Sequence, residues 1–197
     1  MSQIPWSIYF SMHRKDVWGL VDQQNTRLGR KVSAPQFILI DSYSELTDQK
    51  FSPINGGYQF YANFTDVKPS NFLHQKLRSE GLIDLDGVLC HYNHFLRTVL
   101  ERWGRIPVFL MEYPTDLETR AKFIDRAMII RAIYLELEQS WPDVKFLQSS
   151  GAAVGPNARE EHQGQVFPYH YREDYYEEMA ESLAKEFNAQ PDLQPRT

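Results

Sequence analysis

Cysteine is nearly absent from this chain: Cys90 stands alone among 197 residues. One thiol excludes an internal disulfide framework and a cysteine-rich zinc site, and it fits a reducing compartment. Long apolar runs are missing as well, and nothing approaches the roughly 20 residues needed to span a bilayer. Met1-Ser2-Gln3-Ile4-Pro5 lacks the basic start and apolar core of a secretion signal, so the expectation is a cytoplasmic protein with no membrane span. Positive charge is not in excess either. Lys and Arg number 21 against 26 Asp and Glu, a net charge of −5, which gives no footprint for a nucleic-acid partner. The one basic cluster, Arg27 to Lys31, is broken by Leu28 and Gly29 and reads as a solvated connection.

What is present is an apolar fraction of 42% over a length that suits one domain with a real core. Trp6 to Phe10 is aromatic and β-branched and predicts a first strand. Phe37-Ile38-Leu39-Ile40 is a continuous apolar run ending at Asp41, the pattern of a strand buried on both faces. Residues 42–87 carry turn signals at Pro53 and Asn55 to Gly57 and weak alternation from Tyr58 to Phe64. A short helix over 71–79, capped by Ser70 and stopped by Gly81, completes a stretch read as an insertion or lid-like segment.

Beyond it the periodicity is clear. Tyr92, Phe95, Leu96, Val99, Leu100 and Trp103 fall on one face of a helix that Gly104 stops, and Ile106 to Met111 predicts a strand. Thr115-Asp116-Leu117-Glu118 has the form of a capping box opening a helix to about Gln139. Phe123, Ala127, Ile130, Tyr134 and Leu137 recur at helical spacing there, widened by Ile124, Met128 and Ile129. Val144 to Leu147 predicts a strand, a polar loop follows, and Phe167 to Tyr171 forms an aromatic, proline-containing turn holding His170. Glu173 to Phe187 is the closing helix, with Tyr176, Met179, Ala180, Leu183 and Phe187 as its apolar face. Alternating strands and helices predict an α/β fold: a mainly parallel sheet with helices on both faces, three layers α/β/α, as one domain over 1–188 with a disordered tail over 189–197.

In an open parallel sheet ligands bind outside the carboxyl ends of the strands. That rim would collect Ser11 to His13, Asp41 to Ser44, Glu112 and Tyr113, and Ser149 to Gly151, with His170 brought back over it. A serine and a histidine at one rim make a nucleophile and base pair. Ser11 is equally an ordinary turn or cap serine, His170 a packed loop histidine, and Asp41 a strand-end acceptor of backbone N–H groups. His91 and His94, beside Cys90, lie opposite the apolar stripe and read as a solvated face, since no third or fourth metal ligand shares their pattern. Gly56-Gly57 is a turn and not a phosphate loop, because no Lys-Ser/Thr follows. No cofactor is expected.

Four segments are similar to a family of bacterial SGNH-hydrolase-like proteins. Phe10 to Trp18 resembles the family's first block, where a strand ends in Gly-Ser-Cys-x-Ser-Arg-Asp, and Leu39 to Leu46 its Leu-Ile-Asp strand end. Met111 to Thr115 with Arg120 resembles its third strand and cap, and Pro168 to Tyr171 with Tyr175-Tyr176 its closing Pro-Phe-His-Tyr block. The resemblance implies a small three-layer flavodoxin-like or SGNH-like fold and a serine esterase or acyltransferase site. Relatives often accompany surface-polysaccharide genes, which implies an acyl ester carried on a glycan. Carried over, Ser11 is the nucleophile and His170 its base; Asp41, Gly57 and Asn63 are candidates to orient the ring or hold the oxyanion. His13, Tyr113 and Arg120 are candidates for substrate binding, Arg120 having pairing with Glu118 or Asp116 as its commoner use. The sequence departs from the family at Phe10, where a glycine is usual, and at Phe167, where the wider superfamily places the aspartate that orients the histidine. It also has no Gly-x-Asn-Asp after the second strand. The rival class is a degenerate domain of the same fold that binds a glycan or a protein without chemistry. A small-molecule-binding flavodoxin-like domain ranks behind both, for want of a phosphate-binding signature.

Overall fold

A computed structural model describes residues 34–54, 59–64, 77–148, 159–162 and 165–189, with 159–162, 165–170 and 174 followed by backbone alone. These residues belong to two compact units, one holding 44–83 and the other 34–43 together with 84 onward. The architecture is mixed α/β, with a parallel sheet in one unit and an antiparallel sheet in the other. Ser11, His13 and Gly57, and the strand expected over Trp6 to Phe10, lie outside the described residues.

In chain order the elements are β1 (Ile38–Asp41), α1 (Tyr43–Thr47), β2 (Asp48–Pro53), β3 (Phe60–Asn63), β4 (Leu77–Leu82), α2 (Val88–Trp103), β5 (Val108–Met111) and α3 (Ala121–Ser140). They continue with β6 (Val144–Leu147), β7 (Arg159–His162), β8 (Gln165–Tyr171) and α4 (Glu173–Asn188).

The parallel sheet has the order β1-β5-β6. Pairing runs Ile38↔Val108 to Asp41↔Met111 on one side of β5 and Val108↔Val144 to Met111↔Leu147 on the other. The strand buried on both faces is therefore β5, where Phe109 and Leu110 have no exposed surface. The sequence assigned that role to 37–40, but among the described residues β1 pairs only with β5, and Leu39 is 44% exposed. An apolar run reports suitability for burial, whereas its place in the sheet decides how much it receives.

Successive residues of β5 point to opposite faces of the sheet. Phe109 joins Leu147, Tyr171, Tyr175 and Met179 in one cluster, with Met111, Tyr113, Leu183 and Phe187 packed around it. Val108 and Val144 instead line a small cavity with Leu96 and Val99 of α2. Helix α2 buries Val88, Tyr92, Leu96 and Val99, whereas Phe95 and Leu100, placed on the same face by their spacing, are exposed; Gly104 closes the helix at φ 77° with its N–H donating to the Leu100 carbonyl. His91 and His94 lie on its exposed side. Helix α3 meets α2 through a hydrogen bond between the Tyr92 and Tyr134 hydroxyls (3.0 Å), and the Tyr134 ring sits edge-on to Phe146.

Three helix readings need correction. Thr115 to Glu118 forms a turn, with the Glu118 N–H donating to the Thr115 carbonyl, and α3 starts only at Ala121. Glu118 reaches forward instead: its buried carboxylate accepts the Arg120 backbone N–H and guanidinium. A capping box and a turn share one sequence form, and this pairing with Arg120 selects the turn. On α3 the buried residues are Ile130, Ile133, Tyr134 and Leu137, leaving Met128 and Ile129 exposed. On α4 the buried stripe runs through Tyr175 and Met179, and Tyr176 is 51% exposed. The stripe was read one residue out of phase at Tyr176, and Ala180, placed on it as well, is exposed.

At the outer edge of β6 the Phe146 N–H donates to the Glu138 carboxylate of α3 (3.2 Å). The polar loop expected before His170 contains a β-hairpin instead, β7 pairing antiparallel with β8. His170 is thus the penultimate residue of a strand and not part of a turn.

The other unit is an antiparallel sheet of order β3-β2-β4. Phe51 opposes Phe60 with their rings stacked at 5.7 Å, and both are buried with Leu46, Ala62 and Leu77. On the other face Glu80 gathers Ser52, Lys50 and Arg78, which hold its carboxyl below the usual range, the Ser52 hydroxyl most of all. Residues 77–79, assigned to a short helix by their sequence, are part of β4, whose Gly81 takes φ 95° opposite the irregularity at Lys50 and Phe51. Cross-strand partners unavailable to a local pattern decide that segment.

The core position of Phe109 is testable. Phe109→Ala should lower unfolding free energy by about 3–5 kcal/mol in a denaturant titration, whereas Met128→Ala on the exposed face of α3 should stay within about 0.5 kcal/mol. Equal losses for the two would contradict the assignment of β5 as the doubly covered strand.

Candidate active site at the carboxyl edge of the parallel sheet

Because Asp41, Met111 and Leu147 share one row of the register, the three parallel strands end level. The chain leaving them therefore presents Ser42 and Tyr43, Glu112 and Tyr113, and Gln148 along a single rim.

Asp41 closes β1 and accepts the Tyr43 N–H on Oδ1 (2.9 Å), which turns the chain into α1. Ser42 is buried, and its hydroxyl accepts the Tyr113 N–H (3.0 Å), tying the exits of β1 and β5 together. Above this bond the Tyr43 and Tyr113 rings lie 5.0 Å apart. Glu112, after the central strand, binds Arg131 of α3 at 3.1 Å, and Arg131 also reaches the Gln148 side chain (3.0 Å). One guanidinium thus fastens the ends of β5 and β6. Burial raises the Glu112 carboxyl above its ordinary value, with the Arg131 charge and hydrogen bond opposing that rise.

The aromatic part of the rim comes from the end of the chain. Tyr171 is buried, stacks on Tyr175 at 3.9 Å, stands edge-on to Tyr113 at 6.2 Å and meets the Pro114 carbonyl through its hydroxyl at 3.5 Å. Tyr176 adds an exposed ring 5.7 Å from Tyr175 and 6.3 Å from Tyr171. Burial, then the charges of Tyr176, Asp41, Tyr43 and Tyr175, push the Tyr113 hydroxyl well above the ordinary phenol range. It stays protonated, a hydrogen-bond donor at any physiological pH.

Of the residues singled out from sequence, Asp41 and Tyr113 meet at this rim, and the backbone of His170 immediately precedes Tyr171, which packs on Tyr113. Asn63 belongs to the other unit, on β3, where its side-chain amide donates to the Thr47 hydroxyl at 3.4 Å. Arg120 is engaged by Glu118 at 2.6 Å and lies 4.1 Å over the Phe123 ring, the pairing named from sequence as its commoner use. Tyr43 falls in the stretch from Asp41 to Ser44 that the sequence placed at the rim, whereas Tyr176, Arg131 and Gln148 were not anticipated there. The signal available for Tyr176 was its aromatic type in the Tyr175-Tyr176 pair that follows His170; nothing local marks the other two. Among the described residues, no three His, Cys, Asp or Glu side chains are grouped to hold a metal ion, and no helix is long and apolar enough to cross a membrane.

Compared with family models, curated proteins and solved structures, the chain matches none.

The Glu112–Arg131 pair gives a signed prediction. A carboxyl whose folded pKa is raised costs stability as pH climbs from its ordinary value through the raised one, and the cost is absent below both. Arg131→Ala removes the opposing contribution, so the Glu112 carboxyl should titrate at higher pH still when followed by carbon-13 NMR. Glu112→Gln should flatten that stretch of the stability–pH curve. An unmoved Glu112 titration in Arg131→Ala would refute the pairing.

Proposed function

We propose that the chain is an SGNH-like serine hydrolase or acyltransferase of three-layer α/β/α type, acting at this rim on an ester-linked acyl group carried by a glycan. The observation that supports this reading is the packing of Tyr171 on Tyr113, which sets the strand end carrying His170 at the carboxyl edge of a parallel sheet. In parallel α/β folds that edge is where reacting groups collect.

In this reading the Ser11 hydroxyl attacks the acyl carbon while His170 takes its proton, and the Ser11 backbone N–H helps hold the oxyanion. Collapse of the tetrahedral adduct breaks the ester bond, and His170 returns the proton to the departing alkoxide. Water, or an acceptor hydroxyl in an acyltransferase, then attacks the acyl-serine with His170 again taking the proton, and the serine is restored. Asp41, Gly57 and Asn63 remain the candidates for orienting the ring or completing the oxyanion site. Tyr113 and His13 would contact substrate, and Arg120 is a poorer candidate for that work because Glu118 already engages it.

A second reading has its own support. Phe167 stands where the orienting aspartate would be, which suits a domain of the same fold that retains the ligand rim and binds a glycan without cleaving it.

The two separate by labelling. An active enzyme should react with a serine-directed fluorophosphonate and hydrolyse short-chain nitrophenyl esters. Ser11→Ala should abolish the label, and His170→Ala should slow hydrolysis by about 10²–10⁴. Labelling that survives Ser11→Ala removes that serine from the mechanism, and a wild-type protein with neither labelling nor turnover favours the binding domain.

A further inference from the structure

We infer that Tyr43, Tyr113 and Tyr176 with Asp41 form a subsite for a neutral, polyhydroxylated ring, the non-reacting part of the ligand. The inference rests on the proposed function for the location of the ligand at this rim, and it names the side chains that hold the ligand there.

Three observations carry it. The rings form one connected group, Tyr43 5.0 Å from Tyr113, Tyr113 6.2 Å from Tyr171, and Tyr176 within 6.3 Å of Tyr171 and 5.7 Å of Tyr175. Within it Tyr171 and Tyr175 are buried, Tyr43 and Tyr113 half-buried, and Tyr176 and Asp41 exposed, so the group grades from core to solvent. Its polar atoms are of mixed type: the phenols both donate and accept, and Asp41 accepts. Burial, with the electrostatic influence of Tyr176, Asp41, Tyr43 and Tyr175, raises the Tyr113 hydroxyl above the ordinary phenol range and keeps it protonated.

That inventory discriminates between ligands. A cation needs open aromatic faces and acceptors alone. Here the most closely packed faces are spent within the cluster: Tyr171 and Tyr175 stack at 3.9 Å, and Tyr43 tilts against Tyr113. What is exposed is the Tyr176 ring and the Asp41 carboxylate, and the half-buried Tyr113 phenol is held protonated. An apolar ring surface beside donors and acceptors matches the C–H face and hydroxyl edge of a pyranose. An anionic ligand would meet Asp41 and is disfavoured.

The test is saturation-transfer NMR on the full chain, with the methyl pyranosides of glucose, galactose and N-acetylglucosamine as probes and choline chloride as the cationic control. At least one pyranoside should bind, and Tyr176→Ala and Asp41→Asn should each weaken it by about tenfold, as loss of one stacking or charge-assisted contact does. Ser11→Ala should bind the same sugar as wild type, so this result stands apart from the labelling experiment. The inference is overturned if no pyranoside binds, if both rim variants bind as wild type does, or if choline is the probe that Tyr176→Ala weakens.

Discussion

Tyr171 is the side chain through which the last strand and the closing helix of this chain meet the sheet. Its ring is nearly inaccessible to solvent, lies flat on Tyr175 and shares a cluster with Phe109 of the central strand. Burying an aromatic side chain is worth roughly 1.5–3 kcal/mol, and a well-placed aromatic pair about 0.5–1.5 kcal/mol beyond it. A strand that ends in such an anchor, and a helix that begins beside it, cannot shift along the sheet without giving that energy up. The positions of His170, Tyr175 and Tyr176 therefore depend on this cluster around Phe109 of β5. So does the geometry of the rim, since Tyr113 is held on one side by Tyr171 and on the other by Tyr43 and the Ser42 hydroxyl.

The rim illustrates how a few short-range bonds convert strand register into a site. Level strand ends are given by the pairing, but the chain that leaves them can go anywhere. Asp41 turns it by accepting the Tyr43 N–H, Ser42 ties it to the next exit, and Arg131 closes the remaining gap between Glu112 and Gln148. Ser42 is buried and Glu112 half-buried, and both are paired, which is the condition under which burying a polar group is tolerable; Asp41, Arg131 and Gln148 stay exposed.

Much of this was legible in the residues. Helix α2 was bounded correctly because its apolar spacing and the closing Gly104 agree, and β6 because a short apolar run leads into a polar segment. The elements that were misread depend on partners distant in sequence. Residues 77–79 are strand because β2 pairs with them, 37–40 are half exposed because β1 pairs with one neighbour among the described residues, and Glu118 turns forward because it pairs with Arg120. The rule that ligands gather at carboxyl ends pointed to the strand-end Asp41 and to Tyr113 just beyond the central strand, and the register places both at one edge of the sheet. Arg131 was hidden because it lies mid-helix, where a charged residue usually means only a solvated face.

Glu138 has a consequence beyond the hydrogen bond it makes. Among the described residues β6 pairs on one side only, and a strand in that position offers its outward amides as a template for a strand of another molecule. By accepting the Phe146 N–H, Glu138 satisfies one amide that an incoming strand would use and sets a negative charge against the backbone carbonyls of that strand. The helix thus guards the sheet against its own kind: the same carboxylate that completes one molecule's bonding makes a second molecule's approach unfavourable. Lys145 adds a charge on the strand itself, so the edge carries two of the devices that disfavour pairing with another strand.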